Sequence, residues 1–206
     1  MSIVKLNNRG VKNATAFGSI TGLGSMVFIK KLTASSSSTL SFVDGSSDVV
    51  LDNTYKEYLF TFKNIHPATD GAQFKFNMST DGGSNYNVAK TTTYFKAYHD
   101  ESDSGTSLGY EDGNDLAQGT GSQFLSSNID NDNDASHSGT LHLFNPSSTT
   151  FVKHFMHNGA TLGATEWTYN DFIAGYGNTT SAVDAIRFEM SSGNIDAGDI
   201  CLYGIN

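Results

Sequence analysis

A chain of 206 residues is long enough for one sizeable domain and short for two. Charged residues make up only 16% of it and the net charge is −9, and because no polybasic stretch is present the sequence disfavours nucleic-acid binding through the phosphate backbone. Glycine is abundant, at 21 residues, whereas residues that build amphipathic helices are sparse, so the composition favours many short strands joined by tight turns.

The first 24 residues show no alternation of polar and apolar residues at either the strand period or the helix period. We therefore expect residues 1–24 to be an extended N-terminal arm that docks on a neighbouring subunit. Its candidate contact residues are Ile3, Val4, Leu6 and Arg9. The start of the chain is too polar for a secretory signal peptide, and no run of about 18 apolar residues occurs, so the sequence predicts neither a classical export signal nor a membrane-spanning helix.

Residues 25–206 are predicted to form a single β-sandwich domain. Short strand-like runs recur at residues 26–29, 39–43, 57–63, 73–79, 91–98, 140–143, 151–156, 186–191 and 199–205. The clearest of them places Phe74, Phe76 and Met78 on one side of a strand and polar residues on the other. Turn sequences such as Asp-Gly-Gly-Ser-Asn at 81–85 separate the runs. Nine or ten short strands at this spacing predict an all-β, jelly-roll-like sandwich.

A long polar insertion is predicted around residues 99–139, where apolar residues are few. Connections of this length usually bind a partner, move, or form an interface. Within it, residues 115–125 are compatible with a short helix.

The sharpest local motif in the insertion is acidic. Asp130, Asp132 and Asp134 alternate as in the opening of a calcium-binding loop. However, the sixth position of such a loop would be Ala135 instead of Gly, and the twelfth would be Leu141 instead of Glu, which excludes an EF-hand. Two interpretations stay open: a calcium site of another kind, or an acidic loop in solvent.

No motif for catalysis or for cofactor binding stands in the sequence context that its chemistry needs. No glycine-rich segment is followed by the Lys-Ser or Lys-Thr of a phosphate-binding loop, and the one Gly-x-Ser-x-Gly string, at residues 105–109, lacks the strand-to-helix pattern of a nucleophile elbow. His154 and His157 stand three apart in a predicted strand, so they point to opposite faces and do not converge on a metal. The single cysteine, Cys201, lies in an apolar run and is expected to be a buried packing residue. We therefore expect a protein that is not an enzyme, with no catalytic, cofactor-binding or metal-binding residue.

Several segments resemble structural proteins of tailed bacteriophages, notably marine and cyanobacterial ones. They are residues 79–86 (STDGGSNY), 178–182 (NTTSA), 192–198 (SGNIDAG) and the closing 202–205 (LYGI). The resemblance covers most of the chain and implies a component of the virion: a head decoration or cement protein, or part of a tail or fibre. It implies no catalytic residues, and it agrees with a β-rich, disulfide-free chain without an export signal.

The main hypothesis is a virion structural protein that assembles with copies of itself, for example as a trimer, and with capsid or tail proteins. The alternative is a carbohydrate-binding adhesin on the same fold. In that case exposed aromatic residues near the 99–139 insertion would stack on a host surface glycan. Trp167 has two open interpretations in this respect, packing in the core or contact with a sugar.

Overall fold

The structure of the protein is a computed structural model that describes residues 25–164 and 166–206. The described residues form twelve β-strands and no helix, which confirms the predicted all-β class. The strands are β1 (Met26–Thr33), β2 (Leu40–Val43), β3 (Glu57–Pro67), β4 (Phe74–Ser79), β5 (Lys90–Asp100), β6 (Thr106–Tyr110), β7 (Gln123–Phe124), β8 (His137–Phe144), β9 (Lys153–Gly163), β10 (Trp167–Gly177), β11 (Ala185–Met190) and β12 (Ile195–Ile205). No helix in this part of the chain is long and apolar enough to cross a membrane.

Two antiparallel sheets pack face to face as a sandwich. The large sheet has the order β1-β12-β3-β8-β9-β10-β5-β6, and the small sheet has the order β2-β11-β4-β7. The first four strands pair in turn with four later ones: β1 with β12, β2 with β11, β3 with β8, and β4 with β7. Successive members of this eight-stranded ribbon alternate between the sheets, and this wrapped arrangement is a jelly roll.

Four further strands widen the large sheet beyond the jelly roll. β9, β10, β5 and β6 continue it from the free side of β8, and we call these four strands the extension. The 11-residue strands β9 and β10 pair along their whole length, as do β10 and β5. Because the small sheet has only four strands, the extension reaches past it and has one side that faces away from the sandwich and another that is only partly covered.

The space between the sheets is filled by phenylalanine rings gathered around Phe188. Its ring centroid lies 5.3 Å from that of Phe60, 5.2 Å from that of Phe62 and 5.6 Å from that of Phe74. The first two contacts are edge-to-face, the geometry in which the positive edge of one ring meets the negative face of another. These residues come from β3, β4 and β11, so the cluster joins the two sheets.

A glycine permits the irregular course of β12. Gly198 has φ +120°, and a Cβ added there would lie 2.6 Å from the carbonyl oxygen of Asn64. The pairing of β12 with β3 changes register on either side of Ala197. Only glycine adopts this conformation with the neighbouring backbone so close.

The segment predicted as a polar insertion, residues 99–139, contains β6, β7 and the ends of β5 and β8. Its Leu125 and Ile129 are fully buried in the core. The short helix predicted at 115–125 is wrong. Gln123 and Phe124 instead add a strand to the edge of β4, and the buried side chain of Gln123 hydrogen-bonds to Thr92 and to backbone carbonyls, so tertiary contacts override the local helix preference.

Candidate interaction surface

The side of the large sheet that faces away from the small sheet, here called the outer face, carries a continuous row of apolar and weakly polar residues. The register places seven side chains next to one another across seven strands: Phe28, Tyr203, Leu59, His142, Met156, Ala174 and Thr93. A second row, one pleat away, ends in Phe172, Phe95 and Tyr110. The Phe95 and Phe172 rings are stacked with centroids 4.9 Å apart. Neighbouring side chains on one face of a sheet contact each other, so the rows form a single surface.

This face holds most of the large apolar side chains that are exposed to solvent among the described residues. Seven are exposed, and six of them lie on the outer face: Met26, Phe28, Phe95, Leu108, Tyr110 and Met156. Leu108 is 71% exposed and Met156 is 57% exposed. Apolar side chains scattered singly on a surface need no explanation, whereas a contiguous patch marks a place of interaction.

The charge distribution on the outer face is equally uneven. Outward strand positions on β8, β9, β10, β5 and β6 hold no Lys, Arg, Asp or Glu in the described chain. The charged positions lie on β1, β12 and β3, where Lys31 pairs with Asp199 at 3.2 Å. Glu57, the charged residue nearest to the uncharged half, accepts a hydrogen bond from His142 Nδ1 at 2.5 Å. A chain with a net charge of −9 thus presents a nearly uncharged half-sheet on one side.

The outer face is large enough for a stable interface. Eight strands spaced by about 4.8 Å span about 34 Å, and an 11-residue strand is about 37 Å long. A typical specific interface buries about 800 Å² on each partner. Roughly two thirds of the area of this face is therefore enough for such an interface.

Behind the extension, between the two sheets, lies a buried polar cluster centred on Asp171. Its carboxylate accepts hydrogen bonds from Tyr94 Oη at 2.7 Å, from the Ser127 backbone and hydroxyl at 3.0 and 2.8 Å, and from Thr161 Oγ1 at 3.1 Å. The Thr161 hydroxyl in turn accepts from His137 Nδ1 at 2.9 Å. Burial raises the pKa of Asp171, and the surrounding donors partly offset that effect.

Two imidazoles complete this cluster. His137 and His157 stack with ring centroids 5.4 Å apart and are both buried. His137 Nε2 and both nitrogens of His157 have no hydrogen-bond partner of good geometry, although the backbone of Thr140 and of Leu125 lies near enough to His157 to offset part of the effect of burial on its pKa. Burial lowers the pKa of His157 to about 3, and burial together with the neighbouring His157 lowers the pKa of His137 well below its ordinary value.

Glycine makes the room for these rings. A Cβ added at Gly159 would lie 2.3 Å from Cε1 of His137 and 2.7 Å from Nε2 of His157. Although Asp171, Thr161 and His137 are connected in series, Asp171 and His137 are fully buried and Thr161 is 2% exposed. These three residues are therefore shielded from solvent.

The sequence-predicted contact residues Ile3, Val4, Leu6 and Arg9 lie outside the described residues. The described chain starts beside the outer face: Ser25 O accepts a hydrogen bond from the backbone of Asn206 at 2.9 Å, and Met26 is the next residue.

The acidic motif does not gather its carboxylates. Asp130 Oδ1 accepts a hydrogen bond from the backbone of Asp132 at 3.1 Å, and Asp132 and Asp134 are exposed. Within residues 25–164 and 166–206, no three His, Cys, Asp or Glu side chains are grouped so that they would hold a metal ion.

The remaining residues singled out in the sequence are spread over the two sides of the large sheet. His154 is exposed on the outer face, whereas His157 is buried in the sandwich, as their spacing predicts. Cys201 is 4% exposed, yet it pairs with Lys31 and Thr61 on the outer side and is not part of the core cluster. Trp167 is half-buried at the end of β10.

Sequence reasoning missed the outer face, although a signal for it exists. In β5, Tyr94 points into the core and the next residue, Phe95, points out, so large apolar residues occupy both sides of one strand. An antiparallel strand with one face in water typically alternates apolar and polar residues, so the apolar residues on both sides of β5 depart from that pattern and indicate an unusual outer face.

Comparison of the chain with models of protein families, with curated proteins and with solved structures gave no match.

Proposed function

We propose that this protein is a non-enzymatic structural subunit that assembles with copies of itself through the outer face and forms part of a phage-type virion. The observation that carries the proposal is the nearly uncharged half of the outer face, with Met156, Phe95, Leu108 and Tyr110 exposed on it. Apolar area removed from water stabilises an interface by about 25 cal/mol per Å² before the entropic terms of association are subtracted.

The lack of charge on the extension half of this face is compatible with a second copy as its occupant. Two copies with a net charge of −9 each repel one another overall. At the outer face itself this repulsion is small, because the extension half carries no charged side chain. No charged group then has to be desolvated when two such faces meet. An isologous dimer, or a closed ring built from the same surface, satisfies the symmetry of most homo-oligomers.

The assignment to a virion rests on the sequence resemblance to tailed-phage structural proteins, and the jelly roll supports it because capsid proteins commonly use this architecture. Under this proposal the chain is a head decoration or cement protein, or a component of a tail or fibre. Residues 1–24 would add a second tether, with Ile3, Val4, Leu6 and Arg9 as its contacts.

The test of self-assembly is the solution mass, measured by light scattering over a range of concentrations. The wild-type mass is expected to be a multiple of 22.1 kDa. Met156→Asp places a carboxylate in the middle of the apolar row and is expected to yield monomers. Phe151→Asp is the matched control, since Phe151 is 68% exposed but belongs to no strand of the outer face, and it should keep the wild-type mass.

A wild-type protein that stays monomeric up to about 1 mM has no significant self-affinity and refutes the assembly proposal. Equal dissociation by both variants would assign assembly to another surface. Incorporation into a particle is tested separately, by co-sedimentation with empty capsids and with tails. A protein lacking residues 1–20 is expected to fold and to lose incorporation, and retained incorporation contradicts the role of the arm.

A further inference from the structure

A groove lies on the side of the extension opposite to the outer face, where the large sheet reaches past the small one. It has a volume of about 310 Å³, at the small end of the range of ligand sites. Its lining residues are Lys96, Tyr98, Glu111, Trp167 and Tyr169. They come from β5, from β10 and from the residue that follows β6.

Three aromatic rings form the groove. Tyr98 and Tyr169 are direct cross-strand partners, with centroids 5.9 Å apart, and the Tyr98 and Trp167 rings meet at 4.9 Å with an angle of 62°. All three side chains are half-buried. The rings thus present angled, partly exposed surfaces and do not fill the core of the sandwich.

The two charged side chains in the groove have opposite charges and form an ion pair. Lys96 Nζ lies 3.2 Å from Glu111 Oε1 and 5.3 Å from the centroid of the Tyr169 ring. The formal charges of the lining residues sum to zero. A ligand that fits them is therefore neutral overall, offers an apolar face to the rings, and carries hydroxyl groups for an ammonium and a carboxylate.

A tight turn packs against the side chain of Trp167. The Asp100 carboxylate accepts hydrogen bonds from the Ser104 hydroxyl and from the backbone of Ser104 at 2.8 Å and of Gly105 at 3.1 Å, and these bonds, the hydroxyl's first, lower its pKa. The turn brings Gly105 so close that an added Cβ would lie 2.5 Å from Cη2 of Trp167. The indole is thereby held in place before any ligand arrives, which reduces the ordering entropy lost on binding.

We propose that this groove binds a sugar unit of a neutral saccharide. The C–H face of a pyranose would pack on Trp167 and Tyr98, because the negative face of an aromatic ring attracts weakly positive C–H groups. Its hydroxyls would hydrogen-bond to Lys96 and Glu111, and hydrogen bonds to charged groups are the stronger kind. This inference goes beyond the proposed assembly and does not depend on it, since the groove and the outer face lie on opposite sides of the same strands.

Trp167 makes the test direct because it is the only tryptophan in the chain. Its fluorescence is followed while glucose, galactose, mannose, N-acetylglucosamine and their short oligomers are added up to about 20 mM, well above a weak Kd of about 1 mM. At least one neutral sugar is expected to give a saturable change. Sialic acid and glucuronic acid should bind more weakly, since a carboxylate on the ligand has no unpaired cation in the groove.

Variants decide whether the signal comes from the groove. Glu111→Gln keeps the size of the side chain and is expected to weaken binding at least tenfold, and Tyr98→Ala is expected to abolish it. Phe95→Ala is the matched control, because Phe95 lies on the same strand but on the outer face. Absence of a saturable change with every sugar, or equal binding by wild type and Glu111→Gln, would overturn the inference.

The same proteins separate this inference from the assembly proposal. Met156→Asp should lose the oligomeric mass and keep sugar binding, whereas Tyr98→Ala should do the reverse. Loss of both properties in Tyr98→Ala would indicate misfolding, and Glu111→Gln then remains the deciding variant.

Discussion

Acid should destabilise this protein well above the pH at which its surface carboxylates become protonated, and His157 is the residue on which we base the prediction. Its imidazole is buried between Phe62 and His137, and the nearby backbone of Thr140 and of Leu125 offsets only part of the cost of that burial. Burial lowers its pKa to about 3 in the folded state, from an ordinary value of 6.5. Between these two values the unfolded chain binds a proton that the folded chain does not, so stability falls as the pH falls from 6.5 towards 3.

The size of the effect follows from the two pKa values. Each pH unit in that interval is worth about 1.36 kcal/mol, so His157 alone lowers the free energy of unfolding by about 3 kcal/mol at pH 4.5. His137, whose pKa is also lowered by burial, acts in the same direction. Asp171 acts in the opposite direction, because its raised pKa makes the folded state take up a proton as the pH falls. A natural domain is stable by only about 5–15 kcal/mol, so the loss is readily measured.

The assay is urea unfolding at pH 7.5 and pH 4.5, followed by the fluorescence of Trp167. His157→Gln removes the titrating group, and its loss of stability between the two pH values should be about 3 kcal/mol smaller than in the wild type. His154→Gln is the matched control, since His154 is exposed on the same strand, and it should keep the wild-type loss. An equal loss in wild type and His157→Gln would refute the reasoning. A change in stability that a substitution causes equally at both pH values cancels, because the stability of each protein at pH 4.5 is compared with that of the same protein at pH 7.5.

Three further predictions concern stability. Phe188→Ala should lower the free energy of unfolding by about 3–5 kcal/mol, as expected for a large cavity in a core, while Phe151→Ala on the surface should change it by less than about 0.5 kcal/mol. Lys90 is fully buried, with its Nζ 2.6 Å from Asn77 Oδ1, and burial lowers its pKa to about 7. Between pH 7 and pH 9 the unfolded chain keeps a proton on Lys90 that the folded chain loses, so the free energy of unfolding of the wild type should rise by about 2 kcal/mol over that interval. In urea titrations Lys90→Met should abolish this rise. Gly198→Ala should lower the melting temperature by several degrees, because φ is +120° and the added Cβ would lie 2.6 Å from the Asn64 carbonyl oxygen. An unchanged melting temperature would contradict the expected strain at this position.

The extension gives the protein two independent surfaces from the same four strands. In β5, Phe95 belongs to the outer face, whereas Lys96 and Tyr98 line the groove on the other side of the sheet. A strand alternates its side chains, so a sheet that reaches past its partner exposes two chemistries at once. Assembly through one side would leave the other side free for a ligand.

Local pattern was sufficient for the strands and for the direction of many side chains. Phe74, Phe76 and Met78 were predicted to share one side of a strand, and all three are fully buried. His154 and His157 were predicted to diverge, and they lie on opposite sides of the large sheet. These features depend on a period of two that the backbone imposes on any strand, so neighbouring residues in the sequence are enough to determine them.

The pairing of strands that are far apart in the chain could not be predicted from the local sequence pattern. Nothing local indicates that β10 pairs with β5, about 75 residues earlier in the chain, or that β8 is followed in the sheet by the extension. The outer face and the groove exist only because of that pairing, and the wrong helix at 115–125 shows how the edge of β4 overrides a local preference. Likewise, Asp171 is an ordinary acidic residue in the sequence, and only the fold surrounds it with Tyr94, Ser127 and Thr161.

The sequence by itself therefore determined the all-β class, much of the strand-and-turn organisation and the inward side of several strands, since these depend on the order of polar and apolar residues along a few positions. The tertiary structure alone decided which strands are neighbours, which apolar side chains stay exposed and which ionisable groups are buried. Those outcomes depend on contacts between residues far apart in the chain, whose free energy is a small difference between burial and chain entropy summed over the whole domain.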